Sequence, residues 1–318
     1  MRIAVDVMGS DYGHTEMIKG AIKWLNDTGG AEVILVGPPS IIMEELKMYE
    51  YNKAQVKIVE ATEVIANDES PALALRRKRD ASIVVATKLV KEGQADAVVS
   101  SGSTGAQMAA AIFILGRLEG IERPPIVTAI PTSGDAYSLL IDVGANIDCK
   151  PKQLLQFALL GNLYSEKVIG INDPKIALLN NGQEPTKGNN LTVEAYNLLK
   201  EQKSLNFIGN IEGRDLFNQT ADVIVCDGFI GNIVLKTVEG LAGFIIENLL
   251  KETLSLPSFF KKLDYTQVGG APLLGVKGIS IVCHGSSRSE AIYNGINVAK
   301  SCFDNDIVAL QEEKLLDL

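Results

Sequence analysis

The sequence predicts an α/β protein, layered α/β/α around a largely parallel sheet. Three observations carry that reading. Short β-branched runs alternate with longer amphipathic stretches almost from end to end, the rhythm of strand and helix units stacked on one another. Several of the short runs (AVVS, LLID, IALL, VIVC, ISIV) are apolar on both faces, as strands covered by helices on both sides must be. No repeat, low-complexity tract or Pro/Ser linker cuts the 318 residues. The chain therefore reads as one α/β body, 1–318, or as two intimately joined lobes.

Taken in order, strands are expected at 2–7, 32–36, 56–59, 95–100, 126–130 and 138–143. Four more follow at 175–179, 206–211, 222–226 and 278–283. Helical periods occupy 14–27, 41–49, 81–92, 104–118 and 151–165, and then 189–202, 232–253 and 287–303.

Composition narrows the possible functions. At 46% hydrophobic and 22% charged residues, the chain is too apolar for disorder and long enough to bury a sizeable core. Thirty basic against 39 acidic residues leave a formal charge of −9, so the basic footprint of a nucleic-acid partner is missing. The start, MRIAVDVMGSD, lacks the longer apolar region of a signal peptide. The charge-free stretch 97–116 carries too many Ser, Thr, Gln and Gly residues to span a bilayer. Cys149, Cys226, Cys283 and Cys302 have no C-x-x-C spacing and read as reduced, packed thiols of a cytoplasmic protein. Two distant histidines and no local acidic or Cys cluster offer no metal ligand set. No cofactor is expected.

The chemistry gathers where strands end, because ligands of open α/β sheets collect at the carboxyl ends. The sharpest case runs from Ser100 through Ser101, Gly102, Ser103, Thr104 and Gly105 into an apolar helix. Free N–H groups, a helix dipole and three hydroxyls suit a phosphate there; a tight turn with an ordinary Ser/Thr cap is the other reading. The loop is neither Walker A nor G-x-G-x-x-G. A second strand end carries His284, Ser286, Ser287 and Arg288. An imidazole can hand a proton to a leaving group and a guanidinium can grip phosphate, or both can be ordinary loop residues. Lys187, in a polar loop before a helix, is either an anion's counter-charge or a solvated lysine. Asp227 ends a strand beside Gly228 and Gly231, as an acid/base group or as an N-cap. No G-x-S-x-G elbow is present, and the only basic neighbour of Cys226 or Cys283 is His284.

Taken together, MRIAVDVMGSD, SSGSTGA, PTSGDAYSLLIDVGAN, LLNNGQEPTKGN, FIGNIEGRDLF, VIVCDGFIGN and VCHGSSRSEAI resemble the PlsX family. These are the phosphate acyltransferases of bacterial phospholipid synthesis. The match covers nearly the whole chain. Asp6, Gly9 and Asp11 fit the family's opening motif, while Ser10 stands at a usual glycine position. The resemblance implies a fold like that of isocitrate and isopropylmalate dehydrogenases, related to phosphotransacetylases, and a homodimer.

The implied reaction passes an acyl group from acyl carrier protein (ACP) to inorganic phosphate. The acyl phosphate then feeds a downstream glycerol-3-phosphate acyltransferase. Phosphate is its own nucleophile, so the expected roles are few. The 101–105 loop holds phosphate with Arg288 or Lys187, His284 assists the leaving thiol or the oxyanion, and Asp227 is a second acid/base candidate. The basic run Arg76, Arg77, Lys78 and Arg79 is either an ACP docking patch or a solvated helix face. In residues 251–266, Leu256, Phe259, Phe260 and Leu263 fall on one apolar helical face beside Lys261 and Lys262. That is either a peripheral membrane contact or a buried stripe. A CoA-dependent phosphotransacetylase, a dehydrogenase of the related fold and a non-catalytic membrane scaffold are the rival readings.

Overall fold

The computed structural model describes residues 1–133, 136–252 and 269–315. In chain order the elements open with β1 (Arg2–Asp6), α1 (His14–Thr28), β2 (Glu32–Gly37), α2 (Pro39–Leu46), β3 (Val56–Glu60), α3 (Pro71–Arg77) and α4 (Ser82–Lys91). Next come β4 (Ala97–Ser100) and α5 (Thr104–Ala110), the latter continued by a π turn over Ala111–Leu115. The middle of the chain forms β5 (Val127–Pro131), β6 (Tyr137–Ile141), α6 (Pro151–Tyr164), β7 (Lys175–Leu179), α7 (Asn190–Glu201), β8 (Asn206–Ile211), β9 (Val223–Val225) and α8 (Gly228–Glu252). The last elements are β10 (Ala271–Pro272), β11 (Ile279–Val282), α9 (Ser289–Asp304) and α10 (Ile307–Leu315).

The strands form two sheets where the sequence pattern predicted one. Each sheet belongs to one of two compact units, Met1–Leu118 with Thr266–Val308 and Glu119–Tyr265 with Ala309–Leu318. The first unit's sheet has the order β10-β11-β4-β1-β2-β3, parallel except for β10. One of its faces is an apolar layer in which Ala4, Ile34, Val36 and Val98 meet Ala74, Val84, Leu89 and Ala110 of α3, α4 and α5. Alternate residues such as Ile3 and Val5 point the other way and are equally buried. That side is covered by α1 and α2 against β1–β3, and by α9 against β4 and β11. Fully burying each such Val or Ile contributes about 1.5–3 kcal/mol, which is why these strands carry apolar residues on both faces.

The second unit's sheet has the order β5-β6-β9-β7-β8, parallel except for β5. Helix α6 lies on β6 and β9, and α7 lies on α6 and β8. Helix α8 is different. Few residues of its stretch Gly228–Leu249 are buried, and by length and composition it is long and apolar enough to cross a membrane. Phe229, Ile230, Ile233, Leu241 and Phe244 are exposed along it.

Three elements were not visible in the sequence pattern. Helix α3 has seven residues, too few for a helical period to stand out, and β10 has two. Helix α10 has a weak amphipathic pattern.

Candidate active site

In the first unit, β11, β4 and β1 are parallel neighbours, with Val282 beside Ser100 and Val99 beside Val5. Their carboxyl ends therefore lie side by side, about 4.8 Å apart, and deliver three loops to one edge. The loops interlock. The Asp11 N–H donates to the Gly285 carbonyl at 2.9 Å. Gly9 sits at φ +85°, and a Cβ on it would come within 3.1 Å of the Gly102 Cα, so both the conformation and the close approach call for glycine.

Beneath this edge lies Asp6, 2% exposed. Its Oδ1 accepts the Met8 N–H at 3.0 Å and its Oδ2 accepts the Ser100 hydroxyl at 2.8 Å. Ser100 Oγ in turn accepts the Gly102 N–H at 3.1 Å. One carboxyl thus ties together the exits of β1 and β4. Burial pushes its pKa up to about 6, against the pull of hydrogen bonds from Ser82, Ser100 and Met8.

Above Asp6, Ser103 caps α5 by accepting the Ala106 N–H at 3.4 Å. The N–H groups of Thr104 and Gly105 head the helix, ahead of any intrahelical acceptor, and Thr104 is exposed. At the head of α9, another of the three helices that begin at this edge, one N–H is already taken. Glu16 Oε2 accepts the Ser289 N–H at the start of α9 at 2.6 Å. His284 is exposed. Its Nδ1 lies 2.6 Å from Ser286 Oγ and accepts the Ser286 N–H at 3.2 Å. With Nδ1 an acceptor, the neutral ring carries its proton on Nε2. The exposed Arg288 guanidinium stacks 4.8 Å over the Tyr12 ring.

The second unit has its own carboxyl edge. Asp142, just past β6, is fully buried and accepts N–H groups from Ile126, Ala145 and Asn146 and the Asn146 amide. Burial nevertheless pushes its pKa up to about 6. Asp227 caps α8, its Oδ1 accepting the Ile230 N–H at 2.9 Å. The helix head is pressed so close that a Cβ on Gly228 would lie 2.8 Å from the Asn146 backbone. Lys187 is exposed in a loop gripped by Asn180, whose amide donates to the Lys187 carbonyl at 3.0 Å.

A family model described as "Fatty acid synthesis protein" matches residues 1–310. A phosphate acyltransferase of Syntrophomonas wolfei subsp. wolfei is 58% identical over 315 residues, which is 99% of this chain and 98% of that protein. The chain belongs to the phosphate acyltransferase family. A further phosphate acyltransferase, of Heliobacterium modesticaldum, is 50% identical over 331 residues, with 99% and 98% covered. Among solved structures, a phosphotransacetylase from Streptococcus pyogenes aligns with a TM-score of 0.65 at 20% identity, over 95% of this chain and 94% of its own. A 4-hydroxythreonine-4-phosphate dehydrogenase from Klebsiella pneumoniae aligns with a TM-score of 0.56 at 14% identity, over 94% and 98%. Those two likenesses concern the fold alone. The protein is an acyltransferase with phosphate as the acceptor of its acyl group.

For a phosphate acyltransferase, the first unit's edge brings together Gly102, Ser103, Thr104, Gly105, His284, Ser286 and Arg288 from the sequence-predicted set. Three of the predicted contributions are corrected. Ser101 is fully buried with its hydroxyl on Met17 Sδ at 3.0 Å, so it faces the core and not a ligand. Ser287 is 1% exposed and its Oγ is sealed from solvent. The Gly102 N–H is consumed by Ser100. In the second unit Asp227 caps α8 through Oδ1, one of the two roles the sequence offered for it.

In the basic run, Arg76, Arg77 and Arg79 are exposed. Lys78 turns inward to Glu69 Oε1 at 2.6 Å and the Val64 carbonyl at 2.7 Å, so it does not belong to a docking patch. Leu256, Phe259, Phe260 and Leu263 lie outside the described residues. Sequence reasoning gave Asp6 no role, placed Ser100 only at the start of the loop, and passed over Glu16 and Asp142. An Asp closing an apolar strand, as in IAVD and LLID, was the available signal for two of them.

Proposed function

We propose that this phosphate acyltransferase takes its acyl group from the thioester of an acyl carrier protein and passes it to inorganic phosphate. The acyl phosphate then serves phospholipid synthesis through a glycerol-3-phosphate acyltransferase. The observation that carries this reading is the open head of α5 at the same sheet edge as His284 and Arg288. Phosphate rests on the Thr104 and Gly105 N–H groups and the Ser103 and Thr104 hydroxyls, with Arg288 offsetting its charge. A phosphate oxygen attacks the thioester carbonyl, the C–S bond breaks, and the leaving thiolate, stabilised by a hydrogen bond from His284 Nε2–H, takes up the proton that hydrogen phosphate gives up as it becomes acyl phosphate. Ser286 holds the ring for that hydrogen bond. Asp227 is left as a cap, and Lys187 is the second unit's own cation for an anionic substrate.

The test is thiol release from purified protein with long-chain acyl-ACP and varied phosphate. Release should saturate with phosphate and yield a hydroxylamine-reactive acyl phosphate. Release from acyl-CoA alone would replace the donor with a phosphotransacetylase-like one, and silence with both would overturn the reading.

We further propose that the protein is a homodimer and a reversible visitor to anionic membrane surfaces through residues 251–266. The uncovered apolar side chains of α8, which leads into that segment, support both. Flotation with anionic vesicles should carry the protein upward, and replacing Phe259 and Phe260 by Asp should abolish this. Sedimentation equilibrium should report twice the chain mass in the absence of lipid.

A further inference from the structure

A cleft of about 360 Å³ opens in the first unit between α3, α4 and the π turn that continues α5. Leu75, Phe113 and Ile114 give it an apolar lining, and Arg76, Arg79 and Lys88 are the cations around it. Phe113 is 67% exposed. Arg76 and Arg79 have no ion-pair partner among the described residues, and the Lys88 ammonium donates to the Arg79 carbonyl at 3.3 Å, with the Asp80 carboxylate near enough to feel its charge. Three cations thus ring an apolar hollow in a chain whose formal charge is −9. That arrangement complements an acidic surface presenting an apolar side chain, with the charges guiding approach and the hollow anchoring it.

The cleft is also tied to the chemistry. A Cβ on Gly105 would lie 2.8 Å from the Pro71 ring, so α3 rests against the head of α5. Thr104 and Phe113 stand nine residues apart along the α5 helix and its π continuation, a rise of about 14 Å. A partner seated at Phe113 therefore reaches the anion loop only through a flexible arm.

We propose that this cleft docks the acidic carrier protein whose arm delivers the acyl thioester, an inference that rests on the donor assigned above. It replaces the linear run 76–79 by a surface that omits Arg77 and Lys78 and gains Lys88 and Phe113.

The experiment compares the full-length wild type with the double variant Arg76→Glu/Arg79→Glu and with Phe113→Ser, all surface changes. At saturating phosphate, both variants should raise KM for acyl-carrier protein at least tenfold. The kcat and the KM for phosphate should stay within twofold, and kcat/KM for a short acyl-pantetheine donor should be unchanged. Added salt should raise the wild-type KM for the carrier protein and leave that of the double variant nearly flat. An unchanged KM for the carrier protein, or an equal loss with acyl-pantetheine, would overturn the docking site alone. A wild type that turns over acyl-pantetheine but no carrier protein would overturn the donor assignment and the docking site together.

Discussion

Replacing His284 by alanine is expected to lower kcat for phosphate-dependent thioester cleavage about a hundredfold, the scale of a lost hydrogen-bond donor to charge developing in the transition state. Stability should change little, because the ring is exposed and its bond to Ser286 is local. KM for phosphate should change little, since the N–H groups assigned to it belong to α5. Two further readings separate hydrogen-bond donation to the leaving sulfur from a structural role. Added imidazole should restore part of the lost rate in the alanine variant. Ser286→Ala should cost less than His284→Ala, as it loosens the ring's anchor at Nδ1 but leaves the proton on Nε2. A His284→Ala enzyme with near-normal kcat would remove the imidazole from the mechanism.

The second large effect concerns Asp6 and depends on pH. Its pKa is raised from 3.8 to about 6 in the folded chain, so folding favours the protonated form. The stability it contributes is complete below pH 3.8 and lost as pH rises through about 6. Asn cannot titrate. The stability of Asp6→Asn relative to wild type should therefore climb by about 1.4 kcal/mol between pH 5 and 7.5. Asp142, with its pKa also at about 6, is common to both proteins and cancels in the difference. Urea denaturation at a series of pH values measures this directly, and a flat difference would show that Asp6 does not titrate in that window. Activity should fall in the same variant, because an amide cannot accept from both the Met8 N–H and the Ser100 hydroxyl as the carboxylate does.

Much of the fold was legible because its signal is local. A run such as VIVC or ISIV can be buried on both faces only inside a covered sheet, and β9 and β11 lie where those runs stand. The division into two sheets was not legible, since periodicity identifies a strand without naming its neighbour. The functional loops split in the same way. That His284, Arg288 and the 102–105 turn sit at strand ends followed from pattern alone. Which donors remain open there did not. Ser289 spends its N–H on Glu16, 273 residues away, and Asp6 reaches Ser100 across 94 residues. The inward turn of Lys78 was hidden for a related reason. A run of four basic residues looks uniform on paper, but on a seven-residue helix and its exit successive side chains point in different directions.

The carboxylate of Glu16 at the head of α9 has one more meaning. Three helices begin at this edge, α1, α5 and α9, and the head of a helix attracts an oxyanion. By setting Glu16 of α1 against the Ser289 N–H, the chain acts as its own competitor at the head of α9. An anion approaching that head would meet a carboxylate already in place, so part of the discrimination along this edge arises from subtraction.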